Sequence, residues 1–399
     1  MDESSSSERI LAGLVCVLFF LFAMTSDAVG SVIARIIRET HLSLTAAGAF
    51  HYAPMLAIAA GGLGLGFLAD RVGRQWAILV GLGLYGVSSA LFVTGSALSW
   101  FVGLLVVSGI GISIFKVGGL ALVGDIVNSV TAHTRLMNAV EGSFAIGSIV
   151  GPAIVAVLLS EQLSWRGLYV IAAIICLVLI LIVSRVRFPA ARRGGAAAPA
   201  AEILHILKTP GVPMQATLIM LYVAVEVAVY VWMPTYLEAY RGEVRWLPGI
   251  ALTLFFGLRA CGRFFGVWLL GKMRPEGILA VAGALILGGF LTATLGGASW
   301  AAWSLPLTGL PMSVIYPTLN SRGISRFPRE QQGAAAGVLL FFTAIAAALG
   351  PLAMAAVSDV TGDQRYGFGL ASFFAALLAA GLAVGWMRPQ GALQGSAAT

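Results

Sequence analysis

Apolar positions run along this chain in long unbroken blocks, and the polar positions are confined to short stretches between them. Blocks of about 20 residues are each enough to cross the ~30 Å hydrocarbon core of a bilayer as an α-helix. They fall near residues 10–34, 46–68, 76–95, 98–122, 137–160 and 167–186, and again near 213–240, 246–271, 277–296, 299–321, 331–357 and 366–387. The blocks are continuous and lack the ten-residue alternation of an outer-membrane barrel, so the pattern predicts an all-α membrane protein with twelve transmembrane helices.

Composition agrees with this reading. Of 399 residues, 59% are hydrophobic and 10% charged, against about 25% charged in a soluble domain. Fifteen of the 24 Lys and Arg residues fall in loops on the side that holds both termini. The excess of positive charge on cytoplasmic loops then predicts both termini in the cytoplasm and a multi-pass protein of the cell (plasma or inner) membrane. The net charge of +7 follows from that loop bias and calls for no nucleic-acid partner. The first block has acidic residues (Asp2, Glu3, Glu8) ahead of it and no small-residue cleavage site behind it, so it reads as a spanning helix and not a leader. Cys16, Cys176 and Cys261 lie in separate apolar blocks at spacings that fit neither disulfides nor zinc.

The chain matches itself at an offset of about 200 residues. Gly62, Gly66, Arg74 and Gly83 align with Gly262, Gly266, Arg274 and Gly283; one residue less pairs Gly151-Pro152 with Gly350-Pro351 and Arg166 with Arg365. The repeat predicts two six-helix bundles related by pseudo-two-fold symmetry, residues 1–188 and 213–399. A cytoplasmic linker, 189–212, joins them; within it Glu202–Lys208 has the pattern of a short amphipathic helix. Such duplication is a transporter signature, because rocking one half against the other exposes a midplane site to each side in turn.

The most specific motif follows the second block: Gly66-Phe-Leu-Ala-Asp70-Arg71-Val-Gly73-Arg74. It resembles the signature loop of the major facilitator superfamily, G-x-L-a-D-R-x-G-R-R, with Gln75 in place of the last basic residue. The resemblance extends to length, helix count, repeat and linker. It implies that Asp70, Arg71 and Arg74 belong to a gate that switches conformation. The second copy keeps Gly266, Lys272 and Arg274 but has Leu270 where the acid stands. Lys272 and Arg274 are therefore gate candidates in an asymmetric lock.

Ionisable residues inside a bilayer are costly and usually functional. Asp27, Lys116, Glu141, Glu226, Arg259 and Arg263 fall within the apolar blocks. Tyr222, Glu226 and Tyr230 share one helical face, and a carboxylate flanked by rings suits a polyol, the acid accepting hydroxyl hydrogen bonds and the rings covering C–H faces. The stretch from Tyr222 to Leu237 resembles the seventh helix of the fucose:proton symporter-like subfamily, Y-V-G-x-E-x-x-x-x-x-W-x-x-x-Y-L, departing at Ala224. That resemblance implies a sugar or related polyol moved with protons. Asp27 matches by position an acid on the subfamily's first helix that takes part in proton coupling, although a surface acid beside Arg35 or Arg38 is the competing reading. Gly262-Arg263 resembles a Gly-Arg pair of the same subfamily, which implies a structural or gate role for Arg263. Arg259, one turn away, either neutralises Glu226 or binds an anionic group. Asn138…Glu141…Gly147-x-x-x-Gly151-Pro152 resembles the subfamily's fifth helix, with Glu141 where His is usual. Glu141 then offers an ion-pair partner to Lys116 or Arg135, while Gly147 and Gly151 form a small-xxx-small packing face. Tyr316 and Asn320 add polar groups to the substrate site; His51 and Tyr52 are weaker candidates.

No phosphate-cradling loop, metal-ligand cluster or nucleophile elbow is present in the sequence, so neither an enzyme nor a cofactor is expected, and an ion gradient is the expected energy source. The expected partners are a small-molecule substrate, protons and the lipid bilayer, with the chain acting as a monomer. A proton-coupled importer of a sugar or polyol leads. An organic-anion carrier using Arg259 and Lys116, a proton-driven exporter of drugs or metabolites, and a non-transporting receptor are the alternatives.

Overall fold

A computed structural model describes residues 3–64, 72–127, 130–189, 205–270, 272–328 and 331–387. The chain divides into two compact units, Met1–Ala197 and Ala198–Thr399. The first contains α1 (Glu3–Ser26), α2 (Val29–Thr40), α3 (Leu44–Ala47), α4 (Ala49–Gly64), α5 (Arg74–Leu91), α6 (Leu98–Ile126), α7 (Val130–Ser160) and α8 (Gly167–Arg185). The second contains α9 (Val212–Tyr236), α10 (Leu247–Leu270), α11 (Pro275–Leu307), α12 (Gly309–Ile324), α13 (Gln332–Thr361) and α14 (Gln364–Met387).

Nine helices among the described residues are long and apolar enough to cross a bilayer. The remaining three of the twelve expected spans are accounted for individually. Arg74 and Gln75 in the first turn of α5 dilute its apolar character. The second span, α3–α4, runs into residues outside the described set. The ninth and tenth spans meet inside α11, where Gly297 (φ 71°, ψ −169°) adopts a backbone that only glycine takes up readily. The first span is longer than the 10–34 expected, reaching Thr40, and it is interrupted at Asp27-Ala28.

The outward surface is apolar, as lipid requires. On α8, Ile174, Leu177, Val178 and Leu181 are all about half exposed, while Ala172, Cys176, Leu179 and Val183 are buried on the other side. In water that exposed stripe would be an aggregation site; in a bilayer it is solvated. Cys261 on α10 is exposed as well.

Glycines set the closest helix approaches, and the two units repeat them. A Cβ on Gly61 would come within 2.7 Å of Ser113 Oγ, and one on Gly262 within 2.5 Å of Ser313 Oγ. Gly151 of α7 lies against the Met24 carbonyl of α1, and Gly350 of α13 lies against Ala224 of α9, within 2.7 Å of its Cβ. These pairs stand 199–201 residues apart, so the repeat read in the sequence is a repeat of packing contacts. In the linker, Ile206 is buried with Val212, Phe327, Ala335 and Val338. Ile206 therefore seats this end of the linker in the second unit's core.

Candidate functional site

The second unit holds its buried charges along α9. Apolar residues surround Glu226 on both sides in sequence, and eighteen of the 25 residues of α9 are buried, Glu226 among them. Burying a carboxylate is costly unless it is paired, and Glu226 pairs with Arg259 of α10; the side chains are 8% and 16% exposed, respectively. Arg259 is thus placed to neutralise Glu226. Four residues before Glu226, Tyr222 is fully buried and its hydroxyl donates to the Met312 carbonyl of α12 at 2.9 Å. Its ring centroid lies 6.2 Å from that of Tyr316. The Tyr316 hydroxyl reaches Thr343 Oγ1 of α13 at 3.5 Å. Asn320 is half-buried one turn beyond Tyr316.

Glu226, Arg259, Tyr222 and Tyr316 thus form one polar seam across α9, α10 and α12, and Thr343 of α13 borders it. Tyr230, on the same face of α9, lies two turns from Tyr222 and packs its ring 5.9 Å from Phe256. Trp232 Nε1 donates to the Pro351 carbonyl at 3.0 Å, and Gln215 Nε2 to the Leu319 carbonyl at 2.5 Å. Both bonds tie α9 to neighbouring helices on either side of the seam.

In the first unit Asp27 is 6% exposed. Its Oδ2 accepts from Ser148 Oγ at 2.5 Å and its Oδ1 from Ser26 Oγ at 3.0 Å. The close approach that Gly147 and Gly151 allow between α7 and α1 is what brings Ser148 to it. The surface pairing with Arg35 is not formed; Arg35 bonds Glu39 at 2.7 Å instead. At an offset of 200 Asp27 aligns with Val227, one residue past Glu226, so each unit carries a buried acid at almost the same level of its first spanning segment. Beside it, Thr25 Oγ1 and the Tyr85 hydroxyl share a hydrogen bond at 2.6 Å. Both line a small cavity with Ser26, Ser108 and the buried His51.

Lys116 of α6 places its ammonium 4.6 Å from the Phe22 ring centroid and 5.6 Å from that of Phe19. A desolvated cation–π contact is worth about 2 kcal/mol, so rings of α1 form its seat. Glu141 is exposed on α7, one turn before Phe144, whose ring lies 5.7 Å from Phe22.

Of the gate candidates, Asp70 and Arg71 lie outside the described residues. Arg74 is 5% exposed and its Nε donates to Asp125 Oδ2 of α6 at 3.0 Å. The sequence motif groups Arg74 with Asp70 and does not point to Asp125; the available signal was an acid three residues past the end of the 98–122 apolar block. Arg263 is half-buried on α10. Lys272 lies with its ammonium 4.3 Å from the Trp268 ring centroid, and Arg274 is exposed at the N-cap of α11. Two residues on, Glu276 pairs with Arg322 at the end of α12, a pair the loop-charge tally concealed.

The model of the Major Facilitator Superfamily matches residues 15–351. The chain belongs to that superfamily. It is a multi-pass membrane transporter with the superfamily's twelve-helix, all-α fold, and its relatives point to transport and not to enzymatic chemistry. The chain is 22% identical over 404 residues to the L-fucose-proton symporter of Escherichia coli (strain K12), covering 91% of this chain and 90% of that one. A crystal structure of the superfamily transporter FucP in the outward conformation superposes with a TM-score of 0.64 at 19% identity, over 95% of this chain and 99% of that one. The nucleoside transporter NupG gives a TM-score of 0.74 at 14% identity, over 96% and 100%. At these identities the structures establish the fold alone.

Proposed function

We propose that the protein is a proton-coupled importer of a sugar or sugar-like polyol, working by alternating access. The observation that carries this reading is the buried Glu226–Arg259 pair beside Tyr222. While Glu226 is ionised it satisfies Arg259. When it takes up a proton the guanidinium is released, and its donors become available to a hydroxyl-rich solute held between Tyr222, Tyr316 and Asn320. Loading of proton and of substrate are thereby coupled through one arginine. Asp27 serves as the second protonatable group, its two serine donors holding the ionised form. The similarity to a fucose–proton symporter over 91% of this chain supports both assignments. In this reading the Arg74–Asp125 bridge, with Asp70, Arg71, Arg263, Lys272 and Arg274, belongs to the gate. Lys116 is held by Phe19, Phe22 and Glu141. The protein acts as a monomer in the inner membrane with cytoplasmic termini.

Uptake into proteoliposomes under an imposed proton gradient, across neutral sugars, sugar acids and dicarboxylates, tests it. Glu226→Gln should abolish gradient-driven accumulation of a neutral sugar while leaving exchange of preloaded substrate. Accumulation at the native level would remove Glu226 from coupling. A second reading, an organic-anion carrier, is favoured by one observation: Arg259 is twice as exposed as the acid it pairs with, so a carboxylate solute could displace Glu226 from it. Transport of a sugar acid that Arg259→Gln abolishes, with no neutral sugar carried at all, would decide for that reading.

A further inference from the structure

The second unit contains a pocket unconnected with the seam just described. It opens where the C-terminal end of α9 meets the Gly296-Gly297 turn and the connection between α13 and α14, and it has a volume of about 450 Å³. That lies within the 300–1,000 Å³ of small-molecule sites. Its chemistry comes from Thr235, Tyr236, Glu238, Arg241, Asp363 and Arg365.

Three observations point to a ligand. First, Thr235 is 3% exposed and its hydroxyl makes no hydrogen bond. The hydroxyls of Thr217, Thr292, Thr343 and Thr361 each bond the carbonyl four residues earlier in their helices, the usual resolution for a helical threonine. Thr235 does not take it. An unsatisfied buried hydroxyl costs about 1–3 kcal/mol, and this one lines the pocket.

Second, neither arginine of the pocket forms an ion pair among the described residues. Arg241 uses Nη1 on the carbonyls of Glu238 (3.2 Å) and Tyr240 (3.0 Å). The Arg365 guanidinium rests on Gly297, where a Cβ would come within 2.6 Å of Nη2. Asp363 accepts the backbone amide of Arg365 at 2.8 Å and so caps the start of α14.

Third, the pocket breaks the internal repeat. Arg166, which the 199-residue offset aligns with Arg365, lies 5.2 Å from the Phe101 ring centroid and 5.7 Å from that of Trp165, and donates to the Val93 carbonyl at 3.3 Å. Phe92 stacks on Tyr169 beside it at 3.9 Å. Aromatic rings fill in the first unit what a polar cavity occupies in the second.

We propose that this pocket is a binding site for the anionic group of a small polar molecule, with Arg365 and Arg241 as the charge partners and Thr235 as the buried donor. Guanidinium groups hold a carboxylate or phosphate through directed, charge-assisted hydrogen bonds. The same group could belong to a free solute or to a lipid headgroup, and the two are separable by experiment.

Full-length protein in phosphatidylcholine nanodiscs, titrated with D-gluconate by calorimetry, should show saturable binding. Arg365→Gln should weaken it at least tenfold. Thr235→Val should weaken it about five- to tenfold and, in the absence of ligand, raise the unfolding midpoint, because it removes an unsatisfied hydroxyl without changing shape. A merely structural Thr235 would give the opposite sign. In a second arm, discs containing phosphatidylglycerol are analysed by native mass spectrometry; a retained anionic lipid lost in Arg365→Gln assigns the site to a headgroup. Absence of gluconate binding together with absence of an Arg365-dependent lipid overturns the proposal, and so does gluconate binding that survives both substitutions.

Discussion

Each unit ties the beginning of one helix to the end of the next with an ion pair, and the two pairs run in opposite directions. In the first, Arg74 opens α5 and Asp125 stands one residue from the end of α6. In the second, Glu276 lies in the first turn of α11 and Arg322 in the last turn of α12. The helix dipole favours an acid at the start and a base at the end, each by about 0.3–1 kcal/mol. Glu276 and Arg322 therefore sit where their helices would place them even if unpaired. Arg74 and Asp125 both sit against the dipole, and their pairing offsets that cost. Burial widens the difference: their side chains are 5% and 4% exposed, against 43% for Arg322 and 15% for Glu276. One pair offsets a cost and the other adds to a local preference.

The largest expected effect comes from breaking the first pair. Asp125→Asn takes from the buried Arg74 the carboxylate that its Nε meets at 3.0 Å. Loss of one partner from a buried pair costs about 3–5 kcal/mol, which should appear in denaturant-induced unfolding of the purified protein in detergent. A cost below ~1 kcal/mol would mean that Arg74 has other partners strong enough to hold it, and the contrast between the units would collapse.

How far these features could be read from the sequence depends on what kind of interaction each one is. Helix number, the 200-residue repeat and the shared face of Tyr222 and Glu226 rest on periodicity, which is local. The Gly147/Gly151 spacing was legible as a packing face for the same reason. What it brought together, Ser148 against Asp27, was not, because a serine in an apolar run carries no signal until the facing helix is known. Asp125 was hidden in the same way: nothing local to α6 says which arginine 51 residues earlier it will meet. Arg322 was counted with the loop charges that fix orientation, and that tally assigns a side of the membrane but no partner. Arg259 was recognised with two roles left open, and the ion pair with Glu226 depends on how α10 packs against α9, which no local pattern gives.

The dipole argument is sharpened by reversing the first pair. Arg74→Glu combined with Asp125→Arg restores an ion pair and places both charges in the order seen at Glu276 and Arg322. The double variant should recover at least half of the stability lost in Asp125→Asn, since the two end-of-helix contributions of about 0.3–1 kcal/mol each now change sign. The cycle of two single variants and the double isolates the pairing energy from the end effects. A double variant no more stable than Asp125→Asn would show that the positions accept only the native geometry, leaving the direction of the charges without consequence.

The smallest effect is expected at the second pair. Glu276→Gln leaves Arg322 half-exposed at a helix C-terminus, where the carbonyl ends still favour its charge. A pair with one partner well exposed to solvent contributes about 0–1 kcal/mol and is screened by salt. The substitution should therefore cost less than about 1 kcal/mol at low salt, and the difference from the native protein should shrink further in 1 M NaCl, where the Debye length falls to about 3 Å. The Asp125→Asn deficit should persist under the same conditions, because buried charges are poorly screened. If both deficits faded together in salt, burial would not be what separates the two pairs. If the Glu276→Gln cost exceeded ~2 kcal/mol and ignored salt, the second pair would be as structural as the first, and the asymmetry between the units would lie elsewhere.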